Sequence, residues 1–418
     1  MRGRPAGCIV RALGGAAVAA LPGARVGDGA KVLTASGSVA CTVAAVERAR
    51  VALVPFGSLR GAAVGDRVEL DPAALECVLG FGVLGRALDA CGTPLDGGEP
   101  PRGARVPIGR AAPAPGQRAA FDRPLWTGVR ALDALLVPAR GARIGIFGPP
   151  GCGKTSLLAS IARTVEADAV ALALVGERGR EVQAWHERLD GRTTVFCATS
   201  DRSAAERVRA AELAFAHGAH LRDRGVHVVV ILDSLARYVA ALRELRLAAG
   251  ETLGPGGFPP SVWAELAALV ERAGNGKSGS LTLFATVLTD GDDERDPVAL
   301  AARSLLDGHI TLSPEAARAG RFPAIDVVAS LSRTMPDVVA REHLREAAIV
   351  RAALETLEST RELRRAGLAD LAEPALASAL AAERALLAFV HCPEAAPPPE
   401  TLARLRELAA GLHRSESP

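Results

Sequence analysis

Gly148-Pro149-Pro150-Gly151-Cys152-Gly153-Lys154-Thr155 fits the pattern G-x-x-x-x-G-K-[ST] at every required position. Its flanks fit as well. Ala142–Phe147 is a short apolar run that reads as a buried strand, and Ser156–Arg163 sets apolar residues at helical spacing. A phosphate-binding loop needs that strand–loop–helix setting. Glycines let backbone N–H groups curl around a β-phosphate, and the helix start adds partial positive charge. The nucleotide-binding set is then Gly148, Gly151, Cys152, Gly153, Lys154, Thr155 and Ser156. Lys154 reaches the β- and γ-phosphates of ATP, and the Thr155 hydroxyl ligates Mg2+. Lysine otherwise occurs only at Lys31 and Lys277. A lysine kept in so arginine-rich a chain marks a place where a compact point charge matters. A chance glycine-rich turn is the competing reading, and the flanks disfavour it.

The chain has 418 residues, enough for about two to three domains. Hydrophobic residues make up 49% and charged residues 23%, which is globular and not disordered. A formal net charge of +2 offers no argument for nucleic acid or a strongly anionic membrane. Seven cysteines (Cys8, Cys41, Cys77, Cys91, Cys152, Cys197, Cys392) are scattered without a C-x-x-C pair, as reduced thiols are, not as a disulfide framework or zinc site. No apolar run is long enough to span a bilayer. The start of the chain, with Arg2, Arg4 and then Ala-rich residues, reads as the beginning of a β-rich domain and not as a targeting segment.

From Met1 to about Leu70, short β-favouring runs (Ala30–Thr34, Val39–Val43, Arg50–Pro55) alternate with turns at Gly27-Asp28-Gly29 and Gly65-Asp66. They predict a small β-barrel. Leu84–Gly97 reads as a strand and two turns, Pro101–Gln117 as an extended connection, and Leu125–Leu136 as a short helix. Between Arg143 and about Ser330, apolar strands alternate with helical patterns, which predicts an α/β core with a mostly parallel sheet. Those strands are Arg143–Phe147, Ala169–Val175, Thr193–Ala198, Val226–Leu232, Leu281–Val287 and Ala324–Ala329. After Arg333 the chain turns helical, over Arg341–Ala366, Ala375–Val390 and Pro399–Leu412. The expected domains are residues 1–70, 71–340 and 341–418.

Active groups in such sheets gather beyond the strand C-termini, and three candidates are expected there. Glu177, just past Ala169–Val175, carries a carboxylate able to orient or deprotonate a water that attacks a γ-phosphate. Asp233 ends the hydrophobic Val226–Leu232 and suits Mg2+ held through its water shell. Arg237 follows one helical turn later. Arg333, ending Ser330-Leu-Ser-Arg, is suited to act on a phosphate in its own subunit or a neighbour's. Gly250–Pro260 is a Gly/Pro loop. Asp290–Asp296 is acidic but lacks the ligand register of an EF-hand, so it reads as a solvated loop.

Several segments together resemble the type III secretion and flagellar protein-export ATPases, relatives of the catalytic subunit of rotary ATP synthases. They are Gly176–Val182, Ala198–Asp201, Leu247–Glu251, Phe258–Val262, Val270–Asn275, Leu306–Ile310, Phe322–Asp326 and Ser330–Arg333. The resemblance runs from about Arg50 to about Leu354. It implies a RecA-like P-loop NTPase core with an N-terminal β-barrel and a C-terminal helical domain. It also implies a homohexameric ATPase ring in the cytoplasm, peripheral to the inner-membrane export gate, acting on substrate–chaperone complexes. A coiled-coil stalk and a stator or regulator protein are the other implied partners. By motif match Glu177 polarises the attacking water, Arg178 and Arg237 lie near the γ-phosphate, and Arg333 is an arginine finger given in trans. Gly250–Pro260 matches the segment facing the central pore. Flagellar export is the close alternative, and a degenerate scaffold of the same fold is a further one. A hexameric nucleic-acid motor is disfavoured, because Phe56 is the only aromatic residue in the first seventy.

Overall fold

The computed structural model describes residues 5–415 except 14, 49, 187–189 and 290–294. The chain forms two compact units, each assembled from two separate stretches: Met1–Ala114 with Ala169–Arg272, and Pro115–Asp168 with Ala273–Pro418.

In the first unit the expected barrel closes in the order Ala6–Ala12, Ala17–Ala20, Arg50–Pro55, Gly37–Glu47, Gly29–Thr34, Arg67–Leu70. Period-two alternation turns Ala30, Val32, Val51 and Leu53 inward, where they join Ile9, Val43 and Val68 in one core. The same unit holds four parallel strands side by side: Ala87–Asp89, Thr193–Thr199, Ala169–Glu177 and His227–Asp233. Every residue of Ala169–Glu177 and His227–Asp233 is buried, as strands covered on both faces must be. The helix Ala204–Arg222 packs over them. It starts at a capping box in which Ser203 accepts from the Glu206 N–H while Glu206 reaches back to the Ser203 N–H.

The second unit sets Ser280–Leu288, Arg143–Gly148 and Gly308–Leu312 parallel to one another. Gly308–Leu312 was not foreseen as a strand. Its partner on the outer side, Ile325–Ser332, runs antiparallel, with Gly308 opposite Ser332 and Leu312 opposite Ile325. The expectation that Ala324–Ala329 joins a parallel sheet and carries Arg333 to the strand C-terminal end is therefore corrected. Three helices (Arg341–Ser359, Pro374–Val390, Pro398–Ser415) pack on one another to finish this unit. The expected helix Arg341–Ala366 breaks at Thr360 before a short turn, Arg361–Arg365. Of the acidic loop, 290–294 lie outside the described residues. Asp296 caps the helix Pro297–Leu305, accepting from the Val298 and Ala299 N–H groups at 2.7 and 3.2 Å.

The expected helix Leu125–Leu136 is confined to Arg130–Leu135 because the turn before it is held by a buried carboxylate. Asp133 is fully buried and accepts from the Thr127 N–H and hydroxyl at 2.7 Å each and from the Gly128 N–H at 2.8 Å. Asp133→Ala leaves those three donors without an acceptor, and should lower stability by about 3 kcal/mol in a urea titration. A loss below about 0.5 kcal/mol would show that the turn holds itself.

Candidate active site

In the second unit, the strand Arg143–Gly148 runs directly into the glycine-rich loop, and the helix Lys154–Thr164 leaves it. Gly153 is the N-cap with φ 87°, a left-handed conformation that favours glycine, and a Cβ there would meet Phe322 at 3.1 Å. No side chain caps the first turn of this helix, so its N–H groups face the loop and suit an anion. The Lys154 ammonium folds back onto the loop, donating to the Gly148 and Pro149 carbonyls at 2.6 and 2.7 Å. Thr155 is half-buried, Ser156 exposed and Cys152 buried. An uncapped helix start, a glycine-shaped cradle and a lysine ammonium form a donor set that fits a nucleotide's phosphates.

The first unit carries the carboxylates. Glu177 and Asp233 are the last residues of adjacent parallel strands, so both stand at the strand C-terminal end. The register slips between Val175 and Glu177, and Gly176 takes φ +68° at that bulge. The bulge re-aims Glu177 at the end of an unbroken run of buried positions. A Cβ on Gly176 would crowd Arg237 at 3.3 Å and Arg207 at 3.5 Å. Arg237 stands one turn into the helix Leu235–Ala248, which Ser234 caps by accepting from the Arg237 N–H. Its guanidinium pairs with the Glu177 carboxylate and donates to the Gly176 carbonyl at 3.0 Å.

Burial pushes the Glu177 carboxyl up to about 7. Arg237 opposes that shift, while a hydrogen bond with Glu181 and the nearby Asp233 charge reinforce it. Glu181 lies within the segment Gly176–Val182 but was not singled out from the sequence. Its signal was the four-residue spacing from Glu177, one helical turn into Gly179–His186. Arg178 is exposed at the start of that helix, where its carbonyl accepts from the Glu181 N–H. Glu177, Asp233 and Arg237 are thus brought together as the sequence suggests.

Arg333 is placed differently from expectation. Its N–H donates to the Asp307 carbonyl at 3.0 Å, and the Asp307 carboxylate in turn accepts from the Arg143 N–H at 2.9 Å. Arg333 therefore stands beside the first residue of Arg143–Gly148, whereas the phosphate loop follows the last. A strand of that length separates them by roughly 17 Å. Gly250–Pro260 is a loop with one 3-10 turn at Pro255–Gly257, and a helix begins at Pro260.

Among the described residues no group of three or more His, Cys, Asp or Glu is placed to cage a metal ion. A hard cation with few protein ligands, such as Mg2+, instead draws on hydroxyl, carboxylate, water and phosphate oxygens. All seven cysteines are free thiols. No helix among the described residues is long and apolar enough to cross a membrane.

Residues 128–332 match the ATP synthase alpha/beta family, nucleotide-binding domain. A type 3 secretion system ATPase of Pseudomonas syringae pv. syringae is 40% identical over 413 residues, covering 94% of this chain and 91% of its own length. A flagellum-specific ATP synthase of Pseudomonas aeruginosa is 42% identical over 336 residues, covering 78% of this chain and 74% of its own length. Among solved structures, the assembled ATPase EscN of the enteropathogenic E. coli type III secretion system matches with a TM-score of 0.90 at 35% identity, over 96% of this chain and 100% of that one. EscN in complex with its central stalk EscO matches with a TM-score of 0.89, at the same identity and coverage. Phosphate-loop geometry, strand-end carboxylates and near full-length similarity agree, and the chain belongs to the ATPase family of type III secretion and flagellar protein export.

Proposed function

We propose that the chain is the ATP-hydrolysing motor of a type III protein secretion system, working as a homohexameric ring. The observation that carries the reading is the position of Arg333. It stands at the opposite end of its strands from the phosphate loop of its own unit, so it is suited to a neighbouring subunit's nucleotide. Val328 and Leu331, exposed by 37% and 44% on the strand that leads to it, give that region apolar surface for a neighbour to cover.

In this reading Lys154 leaves the Gly148 and Pro149 carbonyls for the β- and γ-phosphates of ATP. Gly148, Gly151, Cys152, Gly153 and Ser156 complete the cradle. Thr155 and Asp233 would hold Mg2+, which, when bound, would offset negative charge on the phosphate oxygens. Glu177 takes the proton of the attacking water. Arg237 orients that carboxylate and, with Arg178, adds positive charge where the γ-phosphoryl develops negative charge. Arg333 of the adjacent subunit adds the last cation, which couples turnover to assembly. The ring works in the cytoplasm, peripheral to the inner-membrane export gate. It engages a central coiled-coil stalk and a stator protein, and drives chaperone release and unfolding of export substrates. EscN, similar over nearly the whole chain, is described as assembled and in complex with a central stalk, which supports the ring and stalk partners. Flagellar export is the second reading, favoured by the flagellum-specific relative.

The test is ATPase activity against protein concentration, with oligomeric state followed by light scattering. Specific activity should rise several-fold as the ring forms. A strictly constant specific activity from a monomer would overturn the ring.

A further inference from the structure

Thr289 stands just past Ser280–Leu288, the strand whose Leu288 lies opposite Gly148 at the mouth of the phosphate loop. Its N–H donates to the Gly148 carbonyl at 3.4 Å. The residue is only 1% exposed, yet its Oγ1 has no hydrogen-bond partner among the described residues. A buried hydroxyl without a partner destabilises whichever state contains it. Here the cause lies close by. The Gly148 carbonyl already accepts from the Lys154 ammonium as well as from the Thr289 N–H, so both of its lone pairs are in use.

A phosphate on the loop competes for the Lys154 ammonium. As the ammonium leaves, the Gly148 carbonyl loses its strongest donor, and the hydroxyl that lacks an acceptor belongs to the residue whose own N–H already reaches that carbonyl. We propose that Thr289 is a positioning residue of the phosphate site, whose hydroxyl turns onto the Gly148 carbonyl that Lys154 releases. Loading the loop then gives the hydroxyl an acceptor and the carbonyl a second donor again, and the loop keeps its shape while its lysine is engaged elsewhere. The proposal rests on nucleotide binding at this loop.

The test compares the full-length protein with Thr289→Val and Thr289→Ser in thermal unfolding, with and without ADP and magnesium chloride. Direct titration with a fluorescent ADP accompanies it. Without nucleotide, Thr289→Val should unfold at a higher temperature than wild type, because the orphaned hydroxyl is gone. ADP should raise its unfolding temperature less than that of wild type, and its Kd should rise about fivefold. Thr289→Ser should keep the wild-type Kd. A Thr289→Val protein that starts less stable than wild type, or shows the same ADP-induced rise and the same Kd, overturns the role of Thr289 and leaves the nucleotide site standing. A wild-type protein that responds to neither ligand overturns both readings.

Discussion

Glu177→Gln should bind ATP about as well as wild type and hydrolyse it ~10²–10⁴-fold more slowly, the range expected when a general base is lost. The amide keeps the size of the side chain and an oxygen for Arg237, so the surroundings are preserved, but it cannot accept the proton of the attacking water. The carboxyl group also sets a pH profile. Burial raises Glu177 to about 7, so its basic form is lost as pH falls through that value. For wild type, kcat/KM should level off above about pH 7 and fall about tenfold per unit below it. In the variant this limb should be absent. The stability sign follows from the raised value. The neutral acid is favoured in the folded state, so the carboxyl's contribution is fully present below pH 4.5 and is lost as pH rises through about 7. The glutamine variant should therefore lose less stability than wild type over that window. Phosphate release and fluorescent-ATP binding, each followed from pH 5 to 9, check both parts. Near-normal turnover of the variant at pH 8 would remove Glu177 from the chemistry.

Arg333→Ala should bind ATP and lose ~10³–10⁵-fold in turnover, the usual size of an arginine-finger effect. A finger given in trans makes a sharper prediction. A ring mixed from Arg333→Ala and Glu177→Gln subunits contains junctions where an intact Glu177 faces an intact Arg333 from next door. Two preparations that are each inactive should then recover a measurable fraction of wild-type activity on mixing. Full assembly of the mixture with no recovered turnover would count against donation between subunits, as would substantial activity of Arg333→Ala alone.

The phosphate loop was legible because its chemistry and its setting are both local: the strand, the glycines, Lys154 and the helix lie within about twenty consecutive residues. Glu177 and Asp233 were legible for a related reason. Each follows an unbroken apolar run, and Ala169–Glu177 and His227–Asp233 are buried along their whole length. The misplacement of Arg333 has a different origin. Strand direction is decided by which neighbour a strand pairs with, and Gly308–Leu312, the missing neighbour, has an alternating pattern of only five residues. Without it, Ile325–Ser332 could not be seen to run antiparallel. The role of Glu181 was hidden because its effect on Glu177 depends on the bulge at Gly176, and a bulge leaves no periodic trace. Thr289 could not be singled out either, since an unpartnered hydroxyl is a property of the packed chain.

The interleaving of the two units bears on the order in which the ribosome delivers them. Arg143–Gly148, buried at all but its first residue, pairs on one side with Ser280–Leu288 and on the other with Gly308–Leu312. Both partners are translated long after it. At ~5–20 residues per second the nascent chain waits roughly 7–30 s with both edges of that strand bare. The stretch Ala169–Arg272, which completes the other unit, emerges during that wait. A transcript cut near codon 272 would therefore yield one unit with its full set of segments, joined to an apolar strand with no partner to pair with, the kind of exposed edge from which aggregation starts.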